Sequence, residues 1–362
     1  MSFYWYWFIC FYLLVNLGIL LVHARQYHTY HHYRGYHKYH RYYHPDRHIR
    51  YYLPQKFKDE LIPQKMINVN PSESGSFSTI QSAIDSVPSN NGDWISINVM
   101  AGTYREKLTI PIDKPYIIIQ GQGKFNTFVE WNDHDNLLQS ATFTALASNV
   151  VVKFISFRNS YNSPKNGNPV VPAAAALISG DKYYFLNVGF YGIQDTLWDD
   201  QGKHYYQDCT IEGAIDFIFG SAQSLFEGCD INVVDAELGA GIAGYITAQG
   251  RANPNDTNGF VFKNCNINGN GTTYLGRPWR PYATVLFYNT SMPNIINPSG
   301  WESWDFSGNE GLTTFAEYGN HGAGADTSKR VSWEKKLGLS TVREMASTRF
   351  VDNNGWLSHV RS

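Results

Sequence analysis

Between residues 151 and 292 one seven-residue pattern of apolar and polar positions recurs six times. The copies are VVKFISF (151–157), YFLNVGF (184–190), YYQDCTI (205–211), LFEGCDI (225–231), VFKNCNI (261–267) and LFYNTSM (286–292). Each has an apolar or aromatic second position, a turn-like centre that is often Asn, Asp or Gly, and then two apolar residues one apart. That alternation is the signature of a short β-strand. Successive copies start 33, 21, 20, 36 and 25 residues apart. A step of about 20–25 residues suits one coil of a parallel β-solenoid, and the longer steps read as coils with inserted loops. A β-sandwich would also show many short strands, but strong hairpin dipeptides are scarce between the copies. The pattern therefore predicts an all-β fold, a right-handed parallel β-helix, its hand taken from the crossover rule for parallel strands. Two helical stretches flank it. FSTIQSAIDSV (77–87) is amphipathic and suited to closing one end, and TVREMASTRF (341–350) carries a Thr341/Glu344 capping box.

The repeat gives meaning to two aspartates in apolar company, Asp195 in QDTLW and Asp216 in AIDFIF. Aspartate is depleted from strands and rarely buried without a partner. Asp195 lies ten residues after Phe185 and Asp216 ten after Tyr206, so the two share one position in consecutive coils. Stacked coils are about 4.8 Å apart, which sets the carboxyls side by side. Neighbouring carboxylates cannot both ionise cheaply, so one is held as an acid while the other is an anion. From spacing alone, a structural pair satisfied by backbone amides stays open beside the catalytic reading. The same register places Cys209 and Cys229 in neighbouring coils, close enough for a disulfide. Cys265, beyond the 36-residue step, is the expected free thiol.

Composition changes the picture mainly at the amino terminus. The 362 residues are 43% apolar, 15% aromatic and only 17% charged, which supports a large core and argues against disorder beyond the tail. The first 22 residues carry no charged side chain. Residues 1–24 read as a signal peptide, with an anchor retained through residues 3–22 as the alternative. Either way the chain is directed to the secretory pathway, and a secreted, extracellular location is expected. Residues 25–56 form a His/Tyr/Arg-rich tail with seven Lys or Arg against one Asp, leaving 22 basic and 30 acidic residues elsewhere. A disordered leader and an electrostatic tether to a polyanion are both compatible with it. Residues 57–362 form the expected β-helix domain. Asn255, Asn270 and Asn289 open glycosylation sequons.

From about residue 66 to 338 the chain resembles a plant-type pectin methylesterase. The motifs that carry the resemblance are Gly102-Thr-Tyr104-Arg-Glu106, Ile119-Gln-Gly121-Gln-Gly123, Gln194-Asp195-Thr196-Leu197, Asp216-Phe-Ile-Phe-Gly220, Ile246-Thr-Ala-Gln-Gly-Arg251 and Leu275-Gly-Arg277-Pro-Trp279. Each is weak alone; six in register over most of the chain are specific. The resemblance implies a right-handed β-helix and hydrolysis of the methyl esters of homogalacturonan. It matches Asp216 to the nucleophile, Asp195 to the acid/base, Arg277 to the arginine that keeps the nucleophile ionised, and Gln194 to an oxyanion donor. Trp279 is expected to stack on a sugar ring, Trp301 in SGWESW resembles another aromatic of the cleft, and Thr142 in SATFTA resembles a substrate contact. Trp198 and Phe219 are candidates to line the cleft, with packing inside the solenoid as the alternative. The inhibitor-like helical region of many relatives has no counterpart among these motifs; the His/Tyr-rich tail stands there instead.

No cofactor or metal is expected, because an ester carbonyl is already electrophilic and a carboxylate can do the covalent work. The expected partner is methyl-esterified homogalacturonan, with a proteinaceous pectinesterase inhibitor as a further candidate. No nucleic-acid partner and a monomeric state are expected. One departure stands out: counting back from Ser179-Gly180-Asp181 puts Pro172 where the family usually has glutamine, and proline offers no side-chain donor. That residue alone favours a non-catalytic pectin-binding protein on the same scaffold. Glycoside hydrolysis also uses paired carboxyls, but the NTD and GHG signatures of β-helical polygalacturonases are missing. No carboxylate cluster of the kind a calcium-dependent lyase needs stands out.

Overall fold

The computed structural model describes residues 61–162, 169–239 and 241–361. The calls of a signal peptide or anchor over 1–24 and of a tail over 25–56 lie outside the described residues. Within them, the chain winds through three parallel sheets in turn, one strand per sheet per coil, as a right-handed parallel β-helix. The first sheet has ten strands, from Lys65–Val69 to Thr314–Tyr318. The second has seven, from Leu108–Ile110 to Thr273–Pro278, and the third seven, from Gly102–Tyr104 to Asn266–Asn270.

The repeated heptads are the passage from the first sheet to the third. Their central residue takes the left-handed conformation in copy after copy: Phe154, Asn187, Asp208, Gly228, Asn264 and Asn289 all have φ between +51° and +66°. Gly, Asn and Asp tolerate that region best, which is why they recur there. Phe154 is the bulky exception. The second heptad position points inward, and its aromatics form a ladder. Phe185, Tyr206, Phe226, Phe262 and Phe287 stack with successive centroids 4.7, 4.5, 4.6 and 4.5 Å apart. The first position points outward but stays buried. Tyr184, Tyr205, Leu225, Val261 and Leu286 lie under a carboxyl-terminal segment that supplies Val342, Val351, Trp356 and Leu357. Strands covered on both faces read as near-continuous apolar runs, and these do.

Two sequence expectations need correction here. Cys209, Cys229 and Cys265 are all free and buried, so the Cys209–Cys229 disulfide is not formed. Nor is Cys265 set apart: Thr210, Asp230 and Asn266 are register partners, which places the three thiols on three consecutive coils. The 36-residue step keeps register because its excess leaves the solenoid between the strands Asp230–Val234 and Gly244–Gln249 and again before Gly259–Lys263. Each Sγ faces a carbonyl of the coil before it, those of Phe185, Tyr206 and Phe226, at 3.4–3.6 Å. The second correction is the capping box. The helix runs Leu339–Met345 with Gly338 as N-cap and no side-chain cap, so Thr341 lies inside it. The first helix, Ile80–Asp85, forms as expected, its N-cap Thr79 accepting from the Ser82 N–H.

Candidate active site

The second sheet presents an outward row, one residue per coil: Thr144, Leu177, Trp198, Phe219, Ala248 and Arg277 are successive register partners. Trp198, Phe219 and Ala248 form an apolar floor with Leu137, Leu138, Leu177, Trp279 and Trp304, separate from the core inside the solenoid. Phe219 therefore belongs to this outer face and not to the interior. Its ring stacks on Trp198 at 5.2 Å and meets Trp279 edge-on at 6.0 Å.

Asp195 and Asp216 sit at the edge of this floor, on neighbouring coils, as the repeat required. Gln194 bridges to Ile215, and the Asp195 N–H donates to the Ile215 carbonyl at 3.0 Å. Both aspartates have left-handed backbones, φ +59° and +47°. Such conformations are uncommon for residues other than glycine and cluster where function over-determines them. At Asp216 the cause is a bulge. Between the pairs Ile215↔Tyr245 and Ile218↔Thr247 two residues oppose one. The extra residue lets Phe217 bury inward while Asp216 turns to the cleft, the re-aiming that bulges supply beside active sites. Gly220 ends the strand at φ +124°, where an added Cβ would collide with the Asp199 carbonyl.

The two carboxyls differ in their company. Asp216 accepts from Arg277 twice, Nε to Oδ1 at 2.9 Å and Nη2 to Oδ2 at 2.6 Å. Burial pushes its carboxyl up from the ordinary range, with help from the nearby Glu302, while the Arg277 hydrogen bonds and charge pull it back. Asp195 is 9% exposed and has no side-chain hydrogen bond to the described residues. Burial first, and the Asp216 charge second, hold its carboxyl well above the ordinary range, against a weaker pull from Arg277. Environments that split two carboxyls in this way give one an acid's role and the other an anion's. Gln194 is half-buried, beside both, and its side-chain amide makes no hydrogen bond to the described residues. Pro172 lies on the coil before: the Ala173 N–H donates to the Gln194 carbonyl at 3.1 Å. At that position the protein thus offers no side-chain donor.

Two sequence-predicted contacts fall elsewhere. Trp301 is 1% exposed and packs inside the solenoid, its ring 4.6 Å from Phe315 and 6.0 Å from Phe287. Thr142 is fully buried, its hydroxyl donating to the Arg158 carbonyl at 2.9 Å. Each lies one side of a residue that does face out, Trp304 and Thr144. Sequence reading also missed Tyr245 and Trp304 as neighbours of Arg277, whose Cζ lies 3.9 and 3.8 Å from their ring centroids. The second tryptophan of SGWESW was the available signal. Asn255, Asn270 and Asn289 are exposed, and Asn289 donates through Nδ2 to Asn264. Among the described residues, no three His, Cys, Asp or Glu side chains gather as a metal site would require.

A third buried aspartate, Asp199, points into the solenoid. It accepts from His204 Nδ1 at 2.6 Å, from the Tyr206 hydroxyl at 2.7 Å and from the Ser224 hydroxyl. His204 Nε2 faces the Gly180 carbonyl at 2.7 Å. With acceptors at both ring nitrogens, the imidazole carries both protons. Burial lowers its affinity for the second proton, but Asp199 and the Gly180 carbonyl more than offset this.

A family model described as Pectinesterase matches residues 66–354. Probable pectinesterase 55 of Arabidopsis thaliana is 55% identical over 296 residues, which are 81% of this chain and 90% of that protein. Probable pectinesterase 29 of the same plant is 53% identical over 300 residues, 82% of this chain and 90% of that one. The solved structure of a pectin methylesterase from carrot covers 82% of this chain and 95% of its own, with a TM-score of 0.75 at 29% identity.

Proposed function

The chain belongs to the pectinesterase family and hydrolyses the methyl esters of pectin, and from that premise we propose how its cleft residues divide the chemistry. Asp216 attacks the C6 carbonyl carbon of a methyl-esterified galacturonosyl unit. The carbonyl oxygen becomes an oxyanion, which accepts a hydrogen bond from the Gln194 amide. Such a donor can be worth about 3–4 kcal/mol in the transition state. When the intermediate collapses, the C–O bond to the methoxy group breaks, and Asp195 gives its proton to the departing oxygen, releasing methanol. Asp195, now a carboxylate, takes a proton from water as that water attacks the acyl carbon. The bond between the acyl carbon and Asp216 breaks, which restores the Asp216 carboxylate, and the galacturonic acid product leaves and gives its proton to solvent as pectate.

One observation carries this assignment: in two adjacent coils, one aspartate is gripped twice by Arg277 while its neighbour has no such partner. The gripped carboxyl is the anion and the other the acid. Trp279, Trp198 and Phe219 supply the floor on which the sugar rings lie. The test is methanol release from highly methylated pectin by the chain from residue 57 onward, with Asp216→Ala alongside. Methanol from the wild type and none from a variant with an unchanged circular dichroism spectrum is expected. Equal methanol from both would remove Asp216 from the mechanism.

We further propose a secreted, cell-wall protein, glycosylated at its exposed sequons and acting as a monomer. The uncharged first 22 residues and the exposure of Asn255 and Asn270 support this. A proteinaceous pectinesterase inhibitor is proposed as a partner on family membership alone.

A further inference from the structure

Arg277 holds Asp216, and its own orientation has to be held in turn. Nε and Nη2 go to the two oxygens of Asp216, which fixes the plane of the guanidinium only if its faces are also constrained. Both faces are covered. The Tyr245 and Trp304 ring centroids lie 3.9 and 3.8 Å from Cζ, and two rings that close cannot share one side of a flat group. We propose that Tyr245 and Trp304 are positioning residues that clamp the Arg277 guanidinium flat between them, so that both of its N–H groups stay aimed at Asp216. The proposal rests on the reading of Asp216 as the nucleophile.

The elements that bring the rings there are built for it. Tyr245 stands on the strand Gly244–Gln249, opposite Ile215 and so beside the bulge that turns Asp216 outward. Tyr274, its register partner on the next coil, backs it with a parallel ring at 5.3 Å. Trp304 arrives from the opposite side with its backbone in the left-handed region, φ +49°. That conformation is costly for a bulky residue, and the Trp304 N–H is tied to Glu302 Oε1 at 2.9 Å. Trp304 also joins the apolar floor, which links the sugar platform to the arginine. A guanidinium stacked between rings in a partly dry cleft gains cation–π attraction on both faces.

The charged and titratable groups facing Asp216 are Arg277 from the next strand but one, Glu302 from the segment beyond it, Asp195 from the preceding coil and Tyr245 from the following one. Of these only Arg277 favours the anion. Loosening the clamp weakens that one pull and leaves the opposing charges in place, so the Asp216 carboxyl must titrate higher.

The experiment is kcat and KM against pH for Trp304→Ala, Trp304→Phe, Tyr245→Ala and Tyr245→Phe, with wild type and Asp216→Asn as references. Each alanine variant is expected to lose about tenfold in kcat and to shift the acid limb of kcat/KM about one pH unit upward. The phenylalanine variants, which keep a face for the guanidinium, should recover most of both. A raised KM with kcat and the acid limb unmoved would make Trp304 a sugar platform only and overturn the clamp. Should Trp304→Ala fail to fold, Trp304→Leu keeps bulk without a π face and must show the same upward shift; an unmoved limb there is equally fatal. Undiminished methanol from Asp216→Asn would remove the nucleophile itself, a failure distinct from that of the clamp.

Discussion

Asp199 and Asp195 stand four residues apart and are both buried, yet Asp199 ends the strand Leu197–Asp199 while Asp195 lies in the bend before it, and they face opposite ways. Asp199 looks into the solenoid, where His204, Tyr206 and Ser224 all donate to it. Asp195 looks out to the cleft, where a like charge on Asp216 faces it and no donor among the described residues meets it. A buried carboxylate that is fully satisfied rigidifies the fold; one left short of donors holds its proton and stores free energy for chemistry. The same two-sidedness governs the aromatics. Inside, Phe and Tyr rings stack coil upon coil, while outside Trp198 and Phe219 pack with the partly exposed Trp279 into a small separate floor beside the two aspartates.

Exchanging the two aspartates one at a time breaks this contrast most visibly. Asp195→Asn is expected to cost about 10³–10⁴-fold in kcat while keeping or raising stability in urea, since it removes the proposed acid/base and a poorly partnered buried carboxyl together. Asp199→Asn should do the reverse, losing about 3–5 kcal/mol of stability because it leaves His204 charged without its counterion. A stability loss in Asp195→Asn as large as in Asp199→Asn would erase the distinction.

The pH dependence of stability sharpens it. Asp195 has a folded pKa raised above its unfolded value, so the native state keeps that proton longer, and stability falls as pH climbs from the ordinary carboxyl range toward the folded value. Asp195→Asn should therefore gain on the wild type as pH rises. His204 is also raised, so its contribution is full below about pH 6.5 and fades as pH passes through the folded value. Urea titrations of His204→Gln should show less loss above neutrality than wild type. Asp235 offers a smaller check: burial pushes it up to about 7, with Oδ1 buried and unpaired. Asp235→Asn should gain stability at pH 8 relative to pH 5, and an equal gain at both would contradict that reading.

Closure of the interior predicts a slower chemical signature. Burial pushes the Cys209 and Cys229 thiols well up, and thiolates are the reactive form. The chain from residue 57 onward should leave a thiol reagent unreacted when native and take up three equivalents when unfolded without reductant. One equivalent on unfolding would mean that a pair had bridged. The smallest expected effect is at Pro172→Gln, which adds a donor beside Gln194 and should raise kcat by about tenfold; an unchanged rate would place the oxyanion out of its reach.

What could be read in the sequence was whatever the repeat fixes. The heptads carried the coil, its turn-like centre and the pairing of Asp195 with Asp216, because each depends on register and register is written in alternation. What could not be read depends on which way a residue faces after an irregularity. Trp301 and Trp304 share one motif, but only the left-handed backbone at Trp304 decides that it, and not Trp301, meets Arg277. Cys265 looked displaced because loop length was counted as lost register, when loops outside a solenoid leave the stack unchanged. Thr142 and Thr144 are two positions apart and would share a face in one strand, but the strand begins at Phe143, and Thr142, just before it, turns its hydroxyl to the Arg158 carbonyl instead.

The most direct test is the infrared carbonyl band of protonated carboxyls at neutral pH, recorded for wild type, Asp195→Asn and Asp216→Asn. A band component lost in Asp195→Asn and retained in Asp216→Asn is the predicted result. Loss in Asp216→Asn with retention in Asp195→Asn would reverse the acid and the nucleophile.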